Sequence, residues 1–220
     1  MLDLWQLSSH RPPIEKTLEP DEIDLQGNIN MVAEHLGIME SLAQPDAKKY
    51  WNDGNHEDRF ERAMVEIQQS MRLRYLMAIP DISSSLTTDS LLGLTKRGWK
   101  TKKYLTGDNI VLFNRLLLIH GHKTTVWASR SLLSDYGISL MFGHSHRIQN
   151  FTKGDLNGQI AAWNIGCLCD VDPHWRPHTD WAQGFAVVHW KEVDGQWFFD
   201  VQQVRIHEGL GMYNGKVFKA

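Results

Sequence analysis

Ile138-Ser139-Leu140-Met141-Phe142-Gly143-His144-Ser145-His146 is a short apolar run that ends in a glycine and two histidines. Its length and composition predict a buried strand, Ile138 to Phe142, that stops at the glycine. Upstream, Val111 to Ile119 is a second strand-forming run, broken by a turn at Asn114-Arg115, and it ends in His120-Gly121-His122. Between the two, Thr125 to Tyr136 has the pattern of a helix closed by Gly137. Strand, helix and strand therefore alternate, and each strand delivers histidines into a glycine-bearing loop.

Towards the N-terminus, Leu25, Ile29, Val32, Leu36, Met39 and Leu42 recur at helical spacing over Asp24 to Ala43, and Pro45 ends that helix. A short strand from Lys48 to Asn52 leads into Gly54-Asn55-His56-Glu57-Asp58, a third histidine loop. A helix from Phe60 to Leu76 follows, with Phe60, Met64, Ile67 and Met71 on one face. Pro80 and Ser83-Ser84-Ser85 mark a surface loop, and a short helix spans Thr88 to Leu94. Towards the C-terminus, Ile160 to Ile165, Phe185 to Trp190, Trp197 to Ile206 and Met212 to Phe218 read as strands. Asp194-Gly195 and Asn214-Gly215 are hairpin signals among them. The early half alternates helix and strand and the late half is a meander, so the expected class is mixed α and β, as one domain over 1–220.

The 220 residues are enough for one domain with a core of its own. The net charge of −3 supplies no overall field that would recruit nucleic acid or an acidic membrane, so any polyanion must be met by local groups. Cys167 and Cys169 lie too close in sequence for a disulfide framework, which points to a reducing compartment. No apolar run approaches a membrane span and Met1-Leu2-Asp3 does not begin a signal peptide, so the expectation is a soluble, cytoplasmic protein without membrane partners. Most of the nine tryptophans are expected in the core and cleft walls.

Taken singly, each histidine loop has an ordinary reading. Asn55 or Asp58 serves as a helix cap, and His120 or His122 as a hydrogen-bonded histidine at a strand end. Gly-His-Ser-His is stronger, because alternate residues around a small spacer can offer two imidazoles to neighbouring ions. In order, Gly54-Asn55-His56-Glu57, His120-Gly121-His122 and Gly143-His144-Ser145-His146 resemble the last three sequence blocks of the calcineurin-like metallophosphoesterases. The resemblance covers about positions 1 to 165 and is closest to compact bacterial and phage-type members.

What the resemblance implies is a double β-sandwich flanked by helices, with two metal ions at the strand ends. Asn55, His120 and His144 are then ligands of one ion and His146 of the other, with His122 second choice to His120. His56 is the non-ligating catalytic histidine that approaches the scissile phosphate, and Glu57 supports it or its loop. An amide oxygen and neutral imidazoles suit manganese, iron or zinc rather than calcium. The implied activity is in-line attack of an activated water on a phosphodiester, nucleic acid being one candidate substrate. A phosphomonoesterase and a binding domain that keeps only the scaffold are the alternatives.

The family's two earlier blocks, Asp-x-His and Gly-Asp-x-x-Asp, are not found. Asp3 fits the last aspartate of the second, which places the metal-bridging aspartate before Met1. The expectation is a chain lacking its first strand-helix unit, with an incomplete second metal site. Two further stretches carry weaker signals. Lys96 to Tyr104 sets five cations among two aromatics, read as a solvated loop in preference to a nucleic-acid track. Cys167-Leu168-Cys169-Asp170 with His174 has the atoms of a zinc site but no second separated pair. The favoured reading makes this loop, through Trp175, His178 and Trp181, a wall of the cleft.

Overall fold

Apolar residues at helical spacing make α1 (Leu25–Leu42) bury Ile29, Val32 and Leu36 along one stripe. The computed structural model describes residues 25–156, 158–172 and 178–219. Asp3, His174 and Trp175, which carried expectations above, lie outside them. The chain divides into two compact units between Asp108 and Asn109.

In the first unit the α1 stripe packs against Trp51, Phe60, Leu92 and Leu94. Trp51 belongs to β1 (Lys49–Asn52), which pairs in parallel with β2 (Trp99–Lys102). A parallel pair needs a crossover, and here helices fill it. They are α2 (Asn55–Gln69), α3 (Arg74–Met77), α4 (Pro80–Ser85) and α5 (Thr88–Leu92).

Three expectations are corrected in this unit. The helix predicted from Phe60 to Leu76 begins at Asn55 and stops at Gln69, and Met71 lies beyond it and exposed. Its apolar periodicity starts only at Phe60, whereas the polar first turn is nucleated by Glu57. That carboxylate is buried and accepts from the Gly54 N–H at 2.8 Å, the reach-back half of a capping box. Pro80 to Ser85 is a short helix instead of a loop, with proline at the position where a missing N–H costs nothing.

The third correction concerns the basic stretch, of which Trp99–Lys102 is a strand. Three of its five cations are paired: Arg97 with Glu40 (3.0 Å), Lys102 with Asp108 (2.6 Å) and Lys103 with Glu61 (2.6 Å). Arg97 and the Trp99 indole both donate to Glu40, holding its carboxyl below the usual range. Near the end of β1, burial, with Glu57 and Glu61 nearby, pushes Asp53 up to about 6 even though the Trp51 indole donates to it.

The second unit holds two sheets. The first has the order β3-β4-β5-β7-β6: β3 (Ile110–Leu112), β4 (Leu116–Leu118), β5 (Ser139–Phe142), β7 (Gly158–Ile165) and β6 (Ile148–Asp155). Strands β4, β5 and β7 run parallel, and β3 and β6 are antiparallel edges. Helix α6 (Ala128–Tyr136), closed by Gly137 in the left-handed region, connects β4 to β5. It buries Ala128, Leu132 and Leu133 against Leu117, Leu140, Phe142 and Ala162.

The second sheet is an antiparallel meander of β8 (Gln183–Val193), β9 (Gln196–His207), β10 (Leu210–Tyr213) and β11 (Lys216–Lys219). Its reversals at Asp194-Gly195, Glu208-Gly209 and Asn214-Gly215 each put two successive residues at positive φ. That is the primed turn whose twist matches paired strands. The architecture is thus mixed α and β. Trp127 and Trp190 are largely exposed, so the expectation of mostly packed tryptophans fails at those two.

Glu57→Ala should destabilise the first unit by about 1–2 kcal/mol, because the buried Gly54 N–H loses its acceptor. Glu57→Gln, which keeps an acceptor, should cost less. Urea denaturation of the two variants checks the order.

Candidate metal centre

Parallel strands β4 and β5 are neighbours, so the loops that follow them emerge side by side at the carboxyl edge of the sheet. Open sheets present ligands at this edge. The Gly143 N–H donates to the His120 carbonyl (3.0 Å), which ties the two histidine loops together at their roots. Gly121 sits at φ 95°, and a Cβ there would stand 3.0 Å from the Phe142 ring and 3.4 Å from His144 Cβ. Glycine therefore lets the first loop pass beneath the second.

The Gly143–His146 turn is tight. The Ser145 N–H bonds back to the Gly143 carbonyl at 2.8 Å, a three-residue turn centred on His144. Both His144 (φ 66°) and His146 (φ 60°) occupy the left-handed region. Non-glycine residues hold that conformation only where their surroundings impose it. The imposing group is Asn164 on β7, which is fully buried. With its amide oriented to satisfy both ends, it donates to the carbonyls of Gly143 (3.2 Å) and Arg147 (2.8 Å) and accepts from the Ser145 hydroxyl. Asn164 was missed from the sequence, where its only signal is that it is the sole polar residue in the run Ile160 to Ile165.

Within this frame His120 Nε2 and His144 Nδ1 stand 3.2 Å apart, their rings steeply inclined at 71°. Two imidazoles on one tetrahedral ion, with metal–nitrogen bonds of about 2.0–2.1 Å, hold their nitrogens about 3.3 Å apart. The pair therefore fits a shared divalent ion. His122 is turned elsewhere: its Nδ1 is buried with no hydrogen-bond partner among the described residues, and its ring lies 6.4 Å from that of Tyr136.

His146 faces a different set of groups. Its Nδ1 lies 3.6 Å from Cys169 Sγ, and Trp181 meets its ring edge-on at 4.2 Å between centroids. His146, Cys167 and Cys169 offer ligand atoms that all lie within 4.8 Å of one another. Donation from Cys169 holds the Cys167 thiol below its usual value, while that shared proton and burial push the Cys169 thiol up. Asn55 and His56 belong to the first unit, in the opening turn of α2 immediately after β1.

Asn164→Ala should lower stability by about 2–3 kcal/mol, since two buried carbonyls lose their donor. Asn164→Asp keeps the size but not the donors and should be at least as costly, with urea midpoints as the readout. A much milder effect of the aspartate would argue that Asn164 matters through packing alone. No family model matches the chain, and neither does any curated protein or solved structure.

Proposed function

We propose that this chain is a divalent-metal-dependent phosphoester hydrolase of the calcineurin-like kind, acting on a phosphodiester. The observation that carries the reading is the His120–His144 pair, 3.2 Å apart at the ends of adjacent parallel strands. Two supports stand beside it: the order of the three histidine blocks, and a mixed sheet accompanied by a meander, compatible with a double β-sandwich. Among the described residues no helix is long and apolar enough to cross a membrane.

In this reading His120 and His144 would hold one ion through their imidazole nitrogens. A divalent ion there would polarise a phosphoryl oxygen and acidify a water. The resemblance assigns His56 the role of stabilising charge on the phosphoryl group or giving a proton to the leaving oxygen. Glu57 works one step back, fixing the start of the helix turn that carries Asn55 and His56. Arg97, Lys102 and Lys103 are engaged by carboxylates, which weakens their attraction to a nucleic-acid backbone.

With manganese added, the chain should cleave a bis-aryl phosphate in preference to a mono-aryl phosphate. His120→Ala or His144→Ala should lower that rate about 100-fold or more. His56→Asn should lower kcat about 100-fold while leaving manganese binding unchanged. Undiminished hydrolysis in either ligand variant would overturn the proposal.

A further inference from the structure

We infer that His146, Cys167 and Cys169 form a thiolate-containing site for a soft divalent cation of the zinc type, distinct from the His120–His144 pair. The inference does not depend on phosphoester hydrolysis. Its first ground is the donor set: two thiols and one imidazole nitrogen within 4.8 Å of one another, all on half-buried residues. Thiolate ligands select zinc and its congeners over manganese or magnesium.

The second ground is distance. A tetrahedral zinc with bonds of about 2.3 Å to sulfur and 2.0–2.1 Å to nitrogen sets sulfur and nitrogen about 3.6 Å apart. Cys169 Sγ and His146 Nδ1 are 3.6 Å apart, the spacing such an ion requires.

The third ground is the way the backbone fixes all three residues. Cys167 pairs with Gln183 in a bridge: its N–H donates to the Ala182 carbonyl (3.1 Å) and its carbonyl accepts from Gly184 (2.8 Å). Leu168 between the two cysteines is 73% exposed, while Cys167 and Cys169 themselves are half-buried. The Gln183 side chain holds the Cys169 carbonyl at 2.9 Å. The Ala182 N–H donates to the His146 carbonyl at 2.8 Å, so the stretch that aligns the cysteines also anchors the histidine. At Gly166, φ 82°, a Cβ would stand 2.5 Å from the Ala182 carbonyl, so glycine is needed for this approach.

Among the described residues the histidine beside the Cys-x-Cys pair is His146, upstream in sequence; His174 lies outside those residues. With three protein donors among the described residues, a tetrahedral ion keeps one position for an exchangeable ligand. Binding would release the thiol protons, since only thiolates ligate.

Cobalt titration of the reduced full-length chain tests the site, because cobalt bound to thiolate gives a near-ultraviolet charge-transfer band that cobalt on nitrogen and oxygen lacks. The wild type should show the band and lose it when zinc is added. It should weaken in Cys167→Ser and in Cys169→Ser and vanish in the double variant. Zinc affinity should fall at least about tenfold in His146→Gln. His120→Ala should leave the band intact, which separates failure of this site from failure of the hydrolase reading. Absence of the band in the wild type, its persistence in the double serine variant, or a Cys167–Cys169 disulfide in place of bound zinc would overturn the inference. The wild-type spectrum decides even where a variant does not fold.

Discussion

The turn from Gly143 to Arg147 reverses the chain with two histidines in the left-handed region, and such a backbone persists only if its polar groups are claimed. One buried side chain, Asn164, claims the carbonyls at both ends and the serine hydroxyl in the middle. Each left-handed histidine costs about 1–3 kcal/mol, and each neutral hydrogen bond returns about 1 kcal/mol net. The balance is close, so the turn exists because the parallel strand β7 brings this amide beneath it. His144 then reaches His120, and His146 reaches Cys169. Both candidate sites grow from one constraint.

Two kinds of donor thus diverge from a single loop. His120 and His144 offer only nitrogen, while His146 stands with sulfur. Hard and borderline ions favour the first set, and soft ions the second. A resemblance that puts His144 and His146 on a matched pair of ions does not contain this asymmetry, because it carries no cysteines. The sulfur ligands come from the stretch after β7, which the bridge between Cys167 and Gln183 holds in place.

Much of this was legible in the sequence. Apolar runs ending in Gly-His punctuation gave β4, β5 and their loops, and the Asp-Gly and Asn-Gly pairs gave two hairpin turns. The third reversal, Glu208-Gly209, was missed because glutamate is not a usual residue for a left-handed position. Strand β6 was missed because Gln149, Asn150, Thr152 and Lys153 leave it little apolar pattern, as suits an edge strand that pairs along its whole length with β7. Strand β2 was hidden by its own lysines and by the flanking Arg97 and Lys103, whose partners Glu40 and Glu61 come from distant positions. The histidines themselves were identifiable, but their partners were not. That His146 meets Cys169 follows from a ladder at Ala182 that no local pattern reveals.

The central claim is that His120 and His144 grip the same ion. Pulsed electron paramagnetic resonance of the manganese-loaded chain reads this directly, because each coordinated imidazole nitrogen modulates the electron spin echo. The wild type should show modulation from two such nitrogens, with one lost when either histidine is replaced by alanine. Modulation unchanged by either replacement, or absent from the wild type, would contradict the account.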